Sequence, residues 1–359
     1  VQRLRVITAI VLATVLVAID LTVAPVARAC ACGGFVASDG EQIAANAEYA
    51  VLSSDGTTEQ MILSMNARTV TKDAALLIPT PTPATADLAE TGVFDQLRAA
   101  TAPEIRVQYA WWPDLSDGMG SGAAAPGSPG GDVRVLSTRR LGPLEVTVLA
   151  ASDADRLTGW LRSHHYVMRA AMADALRPYV DEGWYYTAIR LTTDAKNLSG
   201  ALHPVRLTFR SERLVYPMRL SVAARESQFV RTYVFADHQV RRTDSTADGS
   251  PGPSVYFAGP LPRSALTAGS LRAMQTDHPY LTVIDQYVSR PSEQIVSDFT
   301  FAPAARDVPY RQVIYRTRMR TILGVPAGPA IVTMIIAGAL GSIALTAVLI
   351  SRRRQSVRR

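Results

Sequence analysis

From Thr321 to Ser351 the chain carries no charged residue, and the block Ala330–Ile350 inside that stretch is 21 residues of almost unbroken apolar character. At about 1.5 Å of rise per residue such a helix reaches about 31 Å, the depth of a bilayer's hydrocarbon core. A helix apolar on every side has no face to turn to water, so this segment divides the chain into a part ruled by lipid and a part ruled by water. Residues 330–350 are therefore read as a transmembrane helix. Arg352, Arg353, Arg354, Arg358 and Arg359 follow it and suit a cytoplasmic tail over 351–359.

The opposite end is also apolar but built differently. Arg3 and Arg5 precede the uncharged run Val6–Ile19, which stops at Asp20 and leads through Pro25 to Ala27-Arg28-Ala29. That is the order of a secretory signal: a basic start, an apolar run too short to span, and a small-residue cleavage site. Residues 1–29 are expected to be a signal peptide cut after Ala29. A translocated N-terminus with one later stop-transfer helix places residues 30–320 outside the cytoplasm, in a single-pass protein of the cell membrane. Arg316, Arg318 and Arg320 stand on the outer side of the span against the usual charge bias, and anionic headgroups are the expected partners that would accept them. Ala337 with Gly341, and Gly338 with Ser342, are small residues spaced for close helix approach, so another membrane protein is a further expected partner.

Charge excludes one broad class. The chain has 37 basic and 31 acidic residues; setting aside three arginines and one aspartate before Cys30 and five arginines after Ser351 leaves 29 basic against 30 acidic. The excess positive charge belongs to the two ends, and no nucleic-acid footprint remains. Only Cys30 and Cys32 are cysteines. A bridge between them requires Cα atoms within about 6.8 Å, so Ala31 cannot be fully extended; the alternatives are pairing between chains or lipidation of Cys30. Two thiols without a nearby histidine make a poor zinc site.

Between the ends the hydrophobic period alternates between two and three to four. Runs at Tyr49–Leu52, Met61–Met65 and Ala74–Ile78 read as strands, Val93–Ala100 as a short helix, and Ile105, Val107 and Tyr109 as a strand leading to Trp111. Residues 114–132 are almost entirely Gly, Ala, Ser, Pro and Asp, and are expected to form a mobile loop. Ser152 and Asp155 start a helix that carries Leu157, Trp160 and Leu161; Met168, Met172, Ala175, Leu176 and Tyr179 form the stripe of a second. Alternation then returns in Tyr185–Leu191, Val205–Phe209, Met218–Val222 and Phe229–Phe235, read as an antiparallel meander with one wet face. Thr243–Pro262 reads as turn-rich, and Leu281–Val288 and Ile295–Phe301 as closing strands. The fold class expected is α+β: an antiparallel-strand-rich ectodomain with a helical insert, plus one C-terminal transmembrane helix.

Several stretches together resemble an uncharacterised family of exported bacterial proteins, domain of unknown function 2330. They are Cys30-Ala31-Cys32-Gly33-Gly34-Phe35, Leu77-Ile78-Pro79-Thr80-Pro81, Phe94-Asp95-Gln96-Leu97 with Thr101-Ala102-Pro103, Gly183-Trp184-Tyr185, and Val215-Tyr216-Pro217-Met218-Arg219-Leu220. The resemblance spans most of residues 30 to 310 and implies no activity. Val36-Ala37 stand where relatives are expected to carry another aromatic and a further cysteine, which leaves a family disulfide open.

No nucleophile elbow, zinc-protease motif or C-x-x-C occurs, and no cofactor is expected. Asp237-His238 and Asp277-His278 could meet as carboxylate-oriented bases or metal ligands, the plainer alternative being Asp-His turns at strand ends. From Trp184 to Ala236, eight basic residues face three acidic ones, and Arg206, Arg210 and Arg219 fall on the polar phase of their strands. Those three are the candidate face for an anionic partner, such as a phosphate- or carboxylate-bearing envelope polymer. The function expected is a membrane-anchored extracytoplasmic binding or scaffolding module; the alternative is a metal-dependent or hydrolytic envelope enzyme using the Asp-His pairs.

Overall fold

A computed structural model describes residues 34–37, 47–64, 66–69, 73–111, 134–141, 144–150, 154–163, 166, 168, 170–192, 198–201, 204–322 and 324–356. Cys30, Cys32, the expected signal peptide and the expected loop 114–132 lie outside these residues, as do His164, His165 and His203. The chain divides into two compact units, residues 1–101 with 121–310, and residues 102–120 with 311–359. The architecture is mixed α+β, rich in strands, with few helices and one C-terminal apolar helix.

In the first unit, seven strands of the larger sheet lie in the order Ser254–Pro260, Tyr280–Val288, Gln228–Ala236, Ala47–Ser54, Thr58–Leu63, Val205–Arg210 and Thr85–Leu88. Side chains alternate across a strand, and here both faces find a core. Ala50, Leu52, Met61, Leu63, Leu207, Val230 and Val234 point into one hydrophobic cluster, whereas Val51, Ile62, Tyr233, Phe235 and Val283 point into another. The first cluster is shared with a five-stranded sheet of Gly34–Ala37, Asp73–Thr80, Tyr185–Thr192, Leu144–Ala150 and Arg134–Leu141, and with helices Ala154–Ser163 and Ala170–Asp181. The second is capped by helices Val93–Ala100 and Gly269–Asp277. These two helices are tied by side chains: Gln96 Oε1 accepts the amides of Thr267 (2.7 Å) and Ala268 (3.0 Å), and Glu90 accepts the amide of Ser270 at 3.0 Å. Helix Gly269–Asp277 has no capping side chain of its own, so the Ser270 amide in its first turn is satisfied by Glu90, 180 residues away.

The expected meander is not formed. Tyr185–Thr192 belongs to the five-stranded sheet, while Val205–Arg210 pairs with Thr58–Leu63 and Thr85–Leu88. Gln228–Ala236 pairs in parallel with Ala47–Ser54 and antiparallel with Tyr280–Val288. Alternation fixes which face a residue takes and says nothing about which strand lies beside it. Met218–Val222 is not a strand: Arg219–Ala223 is a 3-10 helix. The turn-rich reading of Thr243–Pro262 misses Ser254–Pro260, which a bulge at Val255/Phe257 fits against Tyr280–Val288. Of Ile295–Phe301 only the end is extended, in Phe299–Pro303.

The second unit holds a parallel two-stranded ribbon, Glu104–Ala110 with Val313–Met319, a tight hairpin of Thr321–Ile322 and Val325–Pro326, and the helix Ala327–Ser356. Gly324 turns the hairpin with φ +81°, a left-handed backbone that favours glycine. The helix is 30 residues long, and its segment Ala327–Ala347 has a mean hydropathy of 2.1 with none of its most apolar window buried. It is long and apolar enough to cross a membrane, and it begins three residues before the span read from sequence.

Candidate functional site

Helix Ala170–Asp181 ends in a Schellman cap. Gly183, at φ +73°, donates to the Val180 carbonyl at 3.0 Å, and Trp184 donates to the Tyr179 carbonyl at 2.8 Å. The accompanying hydrophobic contact is aromatic: the Tyr179 and Trp184 rings lie 4.9 Å apart. This gives the Gly183-Trp184 pair a physical role, because the two rings form a platform on which Arg219 rests. Its guanidinium carbon is 4.2 Å from the centre of the Tyr179 ring and 5.7 Å from that of Trp184.

Arg219 is fully engaged. Its Nε donates to Asp298 Oδ2 at 2.8 Å, and Nη1 and Nη2 donate to the two carboxylate oxygens of Glu182 at 2.5 and 2.8 Å. Asp298 Oδ1 also takes the Met218 and Arg219 amides, at 2.7 and 2.9 Å, and the Tyr179 hydroxyl. The paired guanidinium holds the Glu182 carboxyl below its usual range. Burial, with the Asp298 charge, pushes the Tyr179 hydroxyl well above its own. Further along the same segment, Glu59 Oε2 accepts the Val215 amide at 3.1 Å, and the Tyr216 hydroxyl donates to Glu48. Four carboxyl side chains thus grip residues 215–219, which is what the Val215–Leu220 motif encodes.

The candidate anionic face is altered accordingly. Arg219 leaves it altogether. Arg206 Nη2 lies 3.8 Å from Asp87, Arg210 is exposed, and Arg231 forms a two-point pair with Asp285 at 2.6 and 2.7 Å. The basic stretch 184–236 finds its counter-charges in Glu182, Asp298, Asp285 and Asp87, all outside it.

The Asp-His dipeptides meet in part. Ala236 and Tyr280 are register partners, which brings the residues beyond them together at one end of the sheet. His278 Nδ1 is 2.9 Å from Asp237 Oδ1, but His238 Nδ1 turns to Asp307 Oδ2, also at 2.9 Å, and not to Asp277. Donating to the Asp307 carboxylate raises the His238 pKa, and accepting that hydrogen bond lowers the pKa of Asp307. Among the described residues no group of three or more His, Cys, Asp or Glu is placed to hold a metal ion.

A cleft that the sequence did not announce opens beside helix Gly269–Asp277. Its volume is about 380 Å³, and its walls include Pro260, Leu261, Arg263, Arg272 and Gln275. Gln275 Nε2 donates to the Leu261 carbonyl at 2.9 Å and stiffens one wall. Two arginines and no acidic side chain line it, and among the described residues neither arginine is in an ion pair. Arg263 and Arg272 lie outside the basic stretch, and only the fold brings them together.

The molecule is thus a strand-rich α+β protein with a carboxylate-clasped core motif and an exposed apolar C-terminal helix. It belongs to the family of uncharacterized proteins conserved in bacteria designated DUF2330, whose profile matches residues 26–302. The match ends before the strand Val313–Met319 and before the helix, and family membership indicates no activity. No curated protein matches the sequence. Among solved structures the chain is similar to that of baculovirus P35, with 10% identity over 77% of this chain and 98% of that one, at a TM-score of 0.33. A likeness at that level carries no argument.

Proposed function

We propose that the protein is an extracytoplasmic binding or scaffolding module of the bacterial cell envelope, held at the membrane by helix Ala327–Ser356 with its C-terminal arginines on the cytoplasmic side. The observation that supports this reading is the exposure of the helix. A core helix of a water-soluble protein buries at least one stripe. Here Ile335, Leu340, Ile343 and Leu345 are all more than 60% exposed, on different sides of the helix. Water does not tolerate such a surface, and lipid does.

Binding rests on the cleft. Two guanidinium groups at its walls, without an ion-pair partner among the described residues, match a phosphate or carboxylate group of an envelope polymer or acidic partner. The hydrolytic reading has one point in its favour, the Asp237–His278 contact, which orients an imidazole as a base would be oriented. Protease added to intact, wall-stripped cells tests the anchored reading. Digestion of the bulk of the chain to a membrane-retained fragment is expected, and full resistance before lysis, with cleavage after it, would overturn it.

A further inference from the structure

The ribbon of Glu104–Ala110 and Val313–Met319 has one face whose composition calls for a cover. The strands are parallel, with Ile105 opposite Ile314, Val107 opposite Arg316 and Tyr109 opposite Arg318. Register partners point to the same side of a sheet and alternate along it, so these six side chains share one face. Trp111 and Arg320 extend it: the Arg320 guanidinium lies 5.4 Å from the centre of the Tyr109 ring and 5.2 Å from that of Trp111. The other face takes Glu104 and Arg106, ion-paired at 2.8 Å. One face therefore collects three arginines and five large apolar or aromatic side chains with no acid.

Parallel strands are found with both faces covered, and a two-stranded ribbon is marginal by itself. Yet Ile105, Val107, Tyr109 and Trp111 are 50, 48, 54 and 46% exposed. The ribbon is also fixed to the start of the apolar helix. The Trp111 carbonyl accepts the Gly328 amide at 2.9 Å, and the Arg320 carbonyl accepts the Ala327 amide at 2.7 Å. The place where the helix enters its solvent is the place where this face ends.

We infer that this face is the protein's seat on an anionic lipid surface. The ribbon lies along the headgroups, with Ile105, Val107, Tyr109, Trp111 and Ile314 toward the acyl boundary and Arg316, Arg318 and Arg320 on lipid phosphates. The inference rests on the reading of helix Ala327–Ser356 as a membrane anchor. Continuity with that helix selects lipid over a protein partner, and so does the mixture of aromatic rings with cations that have no acidic partner among the described residues, which is the composition of interfacial segments. It also accounts for three arginines on the outer side of the span, which positive-inside sorting alone does not favour.

The test uses the full chain in vesicles of phosphatidylcholine and phosphatidylglycerol whose acyl chains are brominated near the glycerol. Val107→Trp and Gln108→Trp place an added indole on opposite faces, about 13 Å and about 10 Å along the strand from Trp111. The added fluorescence of V107W is expected to be quenched and that of Q108W is not. Combining V107W with Arg316→Gln, Arg318→Gln and Arg320→Gln, or omitting phosphatidylglycerol, is expected to relieve the quenching. Equal quenching at both positions, none at either, or quenching of V107W that ignores both the arginines and the anionic lipid would overturn the seat. Alkaline carbonate scores the anchor separately: release of the chain from vesicles defeats the anchor reading and this proposal with it, whereas a retained chain with V107W unquenched defeats the seat alone.

Discussion

Asp298 serves both the backbone and the side chain of Arg219, one carboxylate oxygen accepting its amide at 2.9 Å and the other its Nε at 2.8 Å. The aspartate is 6% exposed and the arginine side chain 18%. Removing one partner of such a pair leaves the other charge buried and the Met218 and Arg219 amides without an acceptor. Asp298→Ala is expected to lower unfolding stability by about 3–5 kcal/mol, read by urea denaturation. Glu182→Ala, which removes the more exposed partner, costs clearly less. Equal losses in the two variants would show that the clasp is not organised around Asp298.

Glu59 supplies a pH-dependent test. Burial pushes its carboxyl well above the ordinary value, and Oε1 has no hydrogen-bond partner among the described residues. A group with a raised folded pKa binds its proton more tightly in the native state. Its favourable contribution is complete below the unfolded value near 4.5 and is lost as pH climbs toward the folded one. Wild-type stability is therefore expected to decline from pH 5 to pH 8, and Glu59→Gln to flatten that decline. The His238–Asp307 pair titrates identically in both proteins, so the difference between them isolates Glu59. Parallel pH profiles would contradict a protonated Glu59.

Much of this fold was legible where period alone decides. Val93–Ala100 is a helix because Phe94 and Leu97 fall on one stripe, and Met172, Leu176 and Tyr179 are buried for the same reason. Pairing was not legible. Gln228–Ala236 lies beside Ala47–Ser54 because both bury both faces, a fact spread over some 180 residues of chain. Met218, Leu220 and Val222 alternate as a strand does, yet Asp298, 80 residues away from Met218, takes its amide and that of Arg219, which a neighbouring strand would otherwise have used. The contact between Asp237 and His278 followed from spacing only as a possibility; the pairing of Ala236 with Tyr280 makes it, while His238 goes to Asp307, a residue no local pattern singled out.

Gly183 sits at φ +73°, and among the described residues nothing beyond its two chain neighbours lies within 4 Å of where its Cβ would stand. The obstacle to a side chain is backbone conformation and not space. Gly183→Ala is expected to cost about 1–2 kcal/mol, and Gly183→Asn less, since asparagine visits the left-handed region more readily. Near-ultraviolet circular dichroism follows the Tyr179–Trp184 platform directly. An alanine variant with unchanged stability would mean that the cap relaxes without strain.

Arg263 and Arg272 carry the binding proposal. Their cleft has no acidic lining residue, so an incoming phosphate or carboxylate meets two cations that have no ion-pair partner among the described residues. Each charge-assisted hydrogen bond to an anion is worth about 1.5–3 kcal/mol, and about 1.4 kcal/mol is tenfold in affinity. Retention of the purified protein on cell-wall material is therefore expected to fall at least about tenfold in the double variant Arg263→Gln with Arg272→Gln. The double variant Arg206→Gln with Arg210→Gln serves as the comparison, because Arg206 is already answered by Asp87 at 3.8 Å and should matter less. Retention by the wild type should also weaken as salt rises past about 0.1 M, where charges more than about 10 Å apart cease to feel one another. If Arg206 and Arg210 proved the more sensitive pair, the sheet face would be the binding surface. If neither pair mattered and salt had no effect, recognition by this protein would not run through its arginines.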